Sequence, residues 1–171
     1  MQYPFYDFSI PLFLKSLDAS LHLLAKASEL AVEKGGDTAV LEARLAPDML
    51  PFVNQIRIMA DNAKGASARL AGVHIPVFED NETTLAELKA RVEKTITFLK
   101  TLTPEQFADA ATRKIELKYF PGQHMIGGEY FTQYALPNFF FHMTTAYDIL
   151  RKEGAKIGKT DFMKTLPLVN N

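Results

Sequence analysis

Residues 135–154 read ALPNFFFHMTTAYDILRKEG. The stretch has the pattern of a helix, yet it contains one proline, one asparagine, three adjacent phenylalanines and one histidine. The helix is expected from about Glu129 to Lys152, kinked at Pro137 and ended by Gly154. His142 follows Asn138 by one helical turn, just off the face made by Tyr134, Asn138, Phe141 and Thr145. Two polar groups so placed on an apolar helix face each other, and buried polar groups need partners. A hydrogen-bonded core pair and a ligand-binding or catalytic pair are the two readings of Asn138 and His142. Phe139, Phe140 and Phe141 point three ways about the axis, so at least one ring is left for another surface: a second subunit, the preceding hairpin or the C-terminal tail.

Three more long helices precede this one. Residues 7–36 carry Ile10, Phe13, Leu14, Leu17, Leu21 and Leu24 on one face and Leu12, Leu23 and Leu30 on a second. Asp7 or Ser9 could cap that helix, Pro11 fits its first turn, and Gly35-Gly36 stops it. A helix with two apolar faces sits centrally in a bundle or against another subunit. Residues 48–72 form the second, capped by Asp48 and ended by Gly72. Its stripe is Val53, Ile56, Ala60, Ala63, Ser67 and Leu70, half of it small enough for close helix approach. Residues 83–102 form the third, with Thr84 and Glu87 as a capping box and Leu85, Leu88, Val92, Ile96 and Leu99 as its stripe. Thr103 and Pro104 open a short extra helix.

Between the third and last long helices the period changes. Ile115, Leu117 and Tyr119 alternate with charged residues ahead of Pro121-Gly122, the pattern of a small hairpin or extended segment over residues 113–128. The tail after Gly154 has no period and is expected to wrap the surface. Without repeats or linkers, residues 1–171 read as one all-α domain, a four-helix bundle with a hairpin insertion before the last helix.

Composition excludes several function classes. Nineteen basic and twenty acidic residues give a net charge of −1 with no basic stripe, so nucleic acid is not an expected partner. The chain has no cysteine, hence no disulfide, thiolate zinc site or cysteine nucleophile, which suits a reducing cytoplasm. No signal peptide and no continuous apolar run long enough for a membrane span is legible. Phosphate-loop, nucleophile-elbow and H-E-x-x-H patterns are missing, as are the E-x-x-H pairs of di-iron bundles. Of the four histidines, His74 and His124 read as solvated loop residues and His22 as a surface or interface residue. His142 remains, with Arg57, Asp61 and Asn62 of the second long helix as candidate partners.

The segments LAPDMLPFVNQIRIMADNAKGASARLAG, PNFFFHMTTAYDILR and IGKTDF resemble an uncharacterised bacterial domain-of-unknown-function family in the DinB/YfiT-like superfamily. The resemblance covers essentially the whole chain. It implies a four-helix bundle, often dimeric, with no assigned reaction. Many superfamily members hold a divalent metal through three histidines, one in the middle of the second helix and two in an H-x-x-x-H pair on the fourth. Carried over by counting from the helix ends, those positions fall near Ile58 and on Asn138 and His142, so only His142 is retained. A neutral amide oxygen is a poor ligand for a transition metal. The resemblance therefore implies a degenerate metal site in a non-catalytic module that binds a small ligand or a protein, as a homodimer. The alternative is a hydrolase or transferase using a weakly held divalent transition metal, with His142 as ligand and Asp61 as ligand or general base.

Overall fold

The computed structural model describes residues 4–164, 166, 168 and 169. Its first helix, α1 (Pro4–Lys34), starts earlier than its sequence caps suggest and carries Pro11 inside it. The carbonyl that Pro11 leaves without a donor belongs to Asp7, and both residues are exposed, so water can satisfy it. Phe13, Leu17, Leu24 and Ala27 are buried, and so are Leu23 and Leu30 of the second face. Leu12, the third residue of that face, is half-buried, so the second face is covered within the chain at Leu23 and Leu30 but only in part at Leu12. The apolar character of α1 also makes it long and hydrophobic enough, by composition, to cross a membrane, but half of the relevant window is buried in the bundle.

A short helix, α2 (Asp37–Leu41), follows, and the chain turns into α3 (Phe52–Ala71). Here Pro51, not Asp48, occupies the N-cap, and its φ of −70° suits the entry to a helix. Every residue of the α3 stripe is buried, and Gly72 ends the helix in the left-handed conformation at φ 69°. The fourth helix, α4 (Leu85–Lys100), has the expected capping box between Thr84 and Glu87. Its Leu85 N–H also donates to Asp37 Oδ2 at 2.8 Å, placing a carboxylate at the positive helix end.

Thr103 and Pro104 open a single 3₁₀ turn, Pro104–Phe107. Next come β1 (Lys114–Glu116) and β2 (His124–Ile126), antiparallel with Ile115 opposite Met125. Ile115 and Leu117 are buried, so the pair docks its apolar side on the helices. His124 lies in β2 rather than in a loop.

The last helix departs from a simple proline kink. A helical turn, α5 (Gly127–Glu129), runs into six π-helical residues, Tyr130–Ala135, and then into α6 (Leu136–Lys152). Pro137 falls in the first turn of α6, and the widened turn just ahead of it re-routes the backbone hydrogen bonds that a proline interrupts. After Gly154, at φ 104°, the tail is not aperiodic throughout: α7 (Lys159–Met163) packs on α1. His22 Nε2 and Asp161 Oδ1 hold it at 2.7 Å, and Phe162 meets Tyr147 edge-on. Residues 165, 167, 170 and 171 of the tail lie outside the described residues.

The bundle is therefore α1, α3, α4 and α6, with α3 packed on α6 and α4, and α1 on α4. One apolar core joins them, from Phe13 and Leu17 through Phe52 and Met59 to Phe139 and Ile149. Phe139 is fully buried, edge-to-face against both Phe13 and Phe140, whereas Phe141 is 57% exposed.

Candidate functional site

Two faces of α3 carry polar groups, and they serve different neighbours. Gln55 faces α6. Its amide nitrogen donates to the Leu50 carbonyl at 2.9 Å, which turns its oxygen toward His142 Nδ1, 2.7 Å away. The Gln55 side belongs to the buried stripe, three residues after Phe52 and four before Met59. Both Gln55 and His142 are buried. Because Gln55 Oε1 can only accept, His142 Nδ1 carries the proton and Nε2 keeps its lone pair. Burial holds the imidazole pKa below the ordinary 6.5, so the ring is neutral.

Asn138 is half-buried one turn before His142, and its side chain has no hydrogen bond among the described residues. The expected Asn138–His142 pair is thus replaced by Gln55–His142, because the pairing residue comes from across the helix interface. Gln55 was legible only as a lone polar residue on an apolar stripe. It lies three residues before Ile58, which is half-buried.

Arg57 and Asp61 lie on the other side of α3, Arg57 about 160° around the axis from Gln55. They meet the connector between α3 and α4. Arg57 Nε lies 2.7 Å from Glu82 Oε2, and its Nη2 donates to the Glu82 carbonyl at 2.7 Å. From α4, Arg91 Nη1 reaches Glu82 Oε1 at 2.7 Å and the Glu79 carbonyl at 3.0 Å. Arg91 Nη2 is 2.8 Å from both Asp61 Oδ2 and Asp80 Oδ1. Lys64 completes the cluster, 2.7 Å from Asp61 Oδ1 and 4.0 Å above the Phe78 ring. Burial alone would raise the Glu82 carboxyl, but hydrogen bonds from Arg91 and Arg57 outweigh it and hold the pKa below 4.5. For Arg91, burial likewise disfavours charge, and Glu82, Asp61 and Asp80 more than restore it.

Three cations and three carboxylates therefore neutralise one another, and they pin the connector across α3 and α4. This cluster was not foreseen, since Arg91 reads as one of the charges off the α4 stripe. The signal available was the acidic run at Glu79, Asp80 and Glu82, which needs cations nearby. Asn62 is half-buried, with its Oδ1 unpartnered.

The five candidate residues thus divide, with Asn138 and His142 on α6 and Arg57 and Asp61 in the connector cluster. Among the described residues no group of three or more His, Asp or Glu side chains could hold a metal ion. The residues around His142 do not fit the three-histidine site of the wider superfamily. They offer one imidazole nitrogen, a half-buried amide at Asn138 and a Gln55 amide already committed to His142 and Leu50.

The bundle, with its strand pair inserted before a π-bulged last helix, is of the DinB class, as its match among solved structures shows. The crystal structure of a DinB family member protein from Shewanella denitrificans superposes with a TM-score of 0.93 at 36% identity, covering 99% of this chain and 97% of that one. The chain belongs to the family described as domain of unknown function DUF1993, which matches residues 5–163. No curated protein matches it.

Proposed function

We propose that this DinB-like protein is a non-catalytic binding module in which His142, the one retained position of the superfamily's metal site, is tied instead into a hydrogen bond with Gln55. The observation that carries the reading is that 2.7 Å bond, buried between α3 and α6, with Gln55 oriented in turn by the Leu50 carbonyl. A buried donor and acceptor that satisfy each other need no ion between them. In this reading the protein works in the cytoplasm as a homodimer, binds a small molecule or a protein, and has neither nucleic-acid nor membrane partners. The exposed Phe141 ring supports the dimer, and a chain without cysteine suits a reducing compartment.

The test is metal content and metal response. Protein purified without tag or chelator is expected to carry no stoichiometric transition metal, and added zinc, nickel or manganese should leave its melting temperature unchanged. A second reading, a hydrolase or transferase with a weakly held divalent metal, draws on the His142 tautomer, because a ligating histidine also donates from its other nitrogen to a fixed acceptor. A metal-induced rise in melting temperature that disappears in His142→Ala would replace the first reading with the second.

A further inference from the structure

The described residues hold four cations or titratable rings around one seam, where the end of α3 meets the β-hairpin. Arg69 stands on the last turn of α3, His74 follows just beyond it, and Arg113 and Lys118 flank β1. Arg113 lies so close to the helix end that a Cβ on Gly72 would stand 2.2 Å from its Nη1. Among the described residues the ion pairs use Arg57, Arg91, five lysines and His22, and none takes Arg69, Arg113 or Lys118. Arg69 makes one long contact, 3.4 Å from Nη1 to the Tyr130 hydroxyl, and Arg113 Nε is buried without a partner.

This seam opens into a groove of about 510 Å³, large enough for a small organic molecule. Arg69, His74 and Lys118 supply its polar wall, and no carboxylate lines it. Pro76, Val77, Leu117 and Tyr119 supply its apolar lining. Val77 and Tyr119 are 85% and 81% exposed, an open apolar surface beside uncompensated positive charge. The negative end of the α3 dipole accounts for Arg69 on the last turn and for Arg113 packed on it. It does not account for Lys118, which comes from the hairpin. The neighbouring groove under Val77 and Phe78 differs in kind, because Glu79, Glu82 and Glu87 offset Arg91 and Lys94 there.

We propose that the groove between the end of α3 and the β-hairpin binds a small amphipathic anion, an aromatic or apolar body bearing one carboxylate or sulfonate. The Arg69 guanidinium matches such a head group, Lys118 adds a second positive charge, the His74 ring offers a nitrogen for hydrogen bonding, and Pro76, Val77, Leu117 and Tyr119 line the way for the body. The proposal rests on the reading of the chain as a binding module, but not on the metal-free state of His142.

Titration with the fluorescent sulfonate 8-anilinonaphthalene-1-sulfonate tests it. Arg69→Gln and Lys118→Gln should each weaken binding about tenfold, as expected for one lost charge-assisted contact. His142→Ala should bind as the wild type does. 1-Naphthoate should displace the probe, and the neutral 1-naphthalenemethanol should compete at least about tenfold less well. Because Lys118 is exposed, its variant removes charge without touching the core. No binding by the wild type, equal binding by the Lys118→Gln variant, or equal competition by the neutral alcohol would overturn the proposal. A metal response at His142 with intact, Arg69-dependent probe binding would overturn only the non-catalytic reading.

Discussion

Arg91 and Glu82 meet at 2.7 Å with their side chains 1% and 8% exposed, the most deeply buried ion pair among the described residues. Removing Arg91 takes away its two hydrogen bonds to Glu82 and the Glu79 carbonyl, but Glu82 keeps Arg57 and Asp61 keeps Lys64. Arg91→Ala is therefore expected to destabilise the fold by about 2–3 kcal/mol, the cost of lost hydrogen bonds to a charged group rather than of an unpaired charge. Asp80, 62% exposed, contributes through a screened contact, and Asp80→Asn should cost about 1 kcal/mol or less. Urea unfolding of the two variants checks the contrast. Equal, small effects would mean that the connector is not held by this cluster.

The hairpin depends on a glycine for a packing reason. A Cβ on Gly127 would stand 1.9 Å from the Ala110 carbonyl oxygen, and Gly127 N–H donates to the Arg113 carbonyl at 2.8 Å. Backbone cannot move aside as a flexible side chain would. Gly127→Ala should destabilise by about 1–3 kcal/mol, as overpacking does. Hydrogen exchange should locate the loss in β1 and β2 before the bundle helices. Uniform exchange, or none gained, would contradict this.

Phe141 and Phe8 are 57% and 56% exposed, and both are large enough to anchor a subunit contact. A dimer by sedimentation is expected, with Phe141→Asp shifting it to monomer while leaving helicity intact. A wild-type chain that sediments as a monomer across a wide concentration range would leave these rings without a partner copy.

The long helices were legible because their apolar stripes are periodic and their punctuation is chemical. Thr84 with Glu87 and Gly72 each act where the sequence places them. Pro11 and Pro137 misled, because a proline marks a missing donor but not how the backbone absorbs it: an exposed carbonyl at Asp7, open to solvent, in one case, a π-turn in the other. The candidate site was half legible. His142 stood out as a histidine on an apolar helix, but its partner was sought one turn away, where helical spacing is readable. Gln55 lies 87 positions away, and Glu82 bridges two arginines from a connector with no period. Such contacts are set by how helices pack, which no local spacing encodes.

The acid side of the stability profile should carry the mark of His142. Its pKa in the fold is depressed by burial below the unfolded 6.5, so the unfolded chain binds the proton more readily. The stabilisation is thus full above pH 6.5 and is lost as pH falls below that value toward the folded pKa. Glu82, also depressed, adds a second loss below pH 4.5, by the same sign. Urea midpoints measured from pH 8 to pH 5 should fall for the wild type and stay flatter for His142→Gln, which keeps a polar group opposite Gln55 but cannot titrate. Midpoints that rise as the solution is acidified would mean an imidazolium in the fold, which the acceptor Gln55 Oε1 and the buried α3–α6 interface argue against.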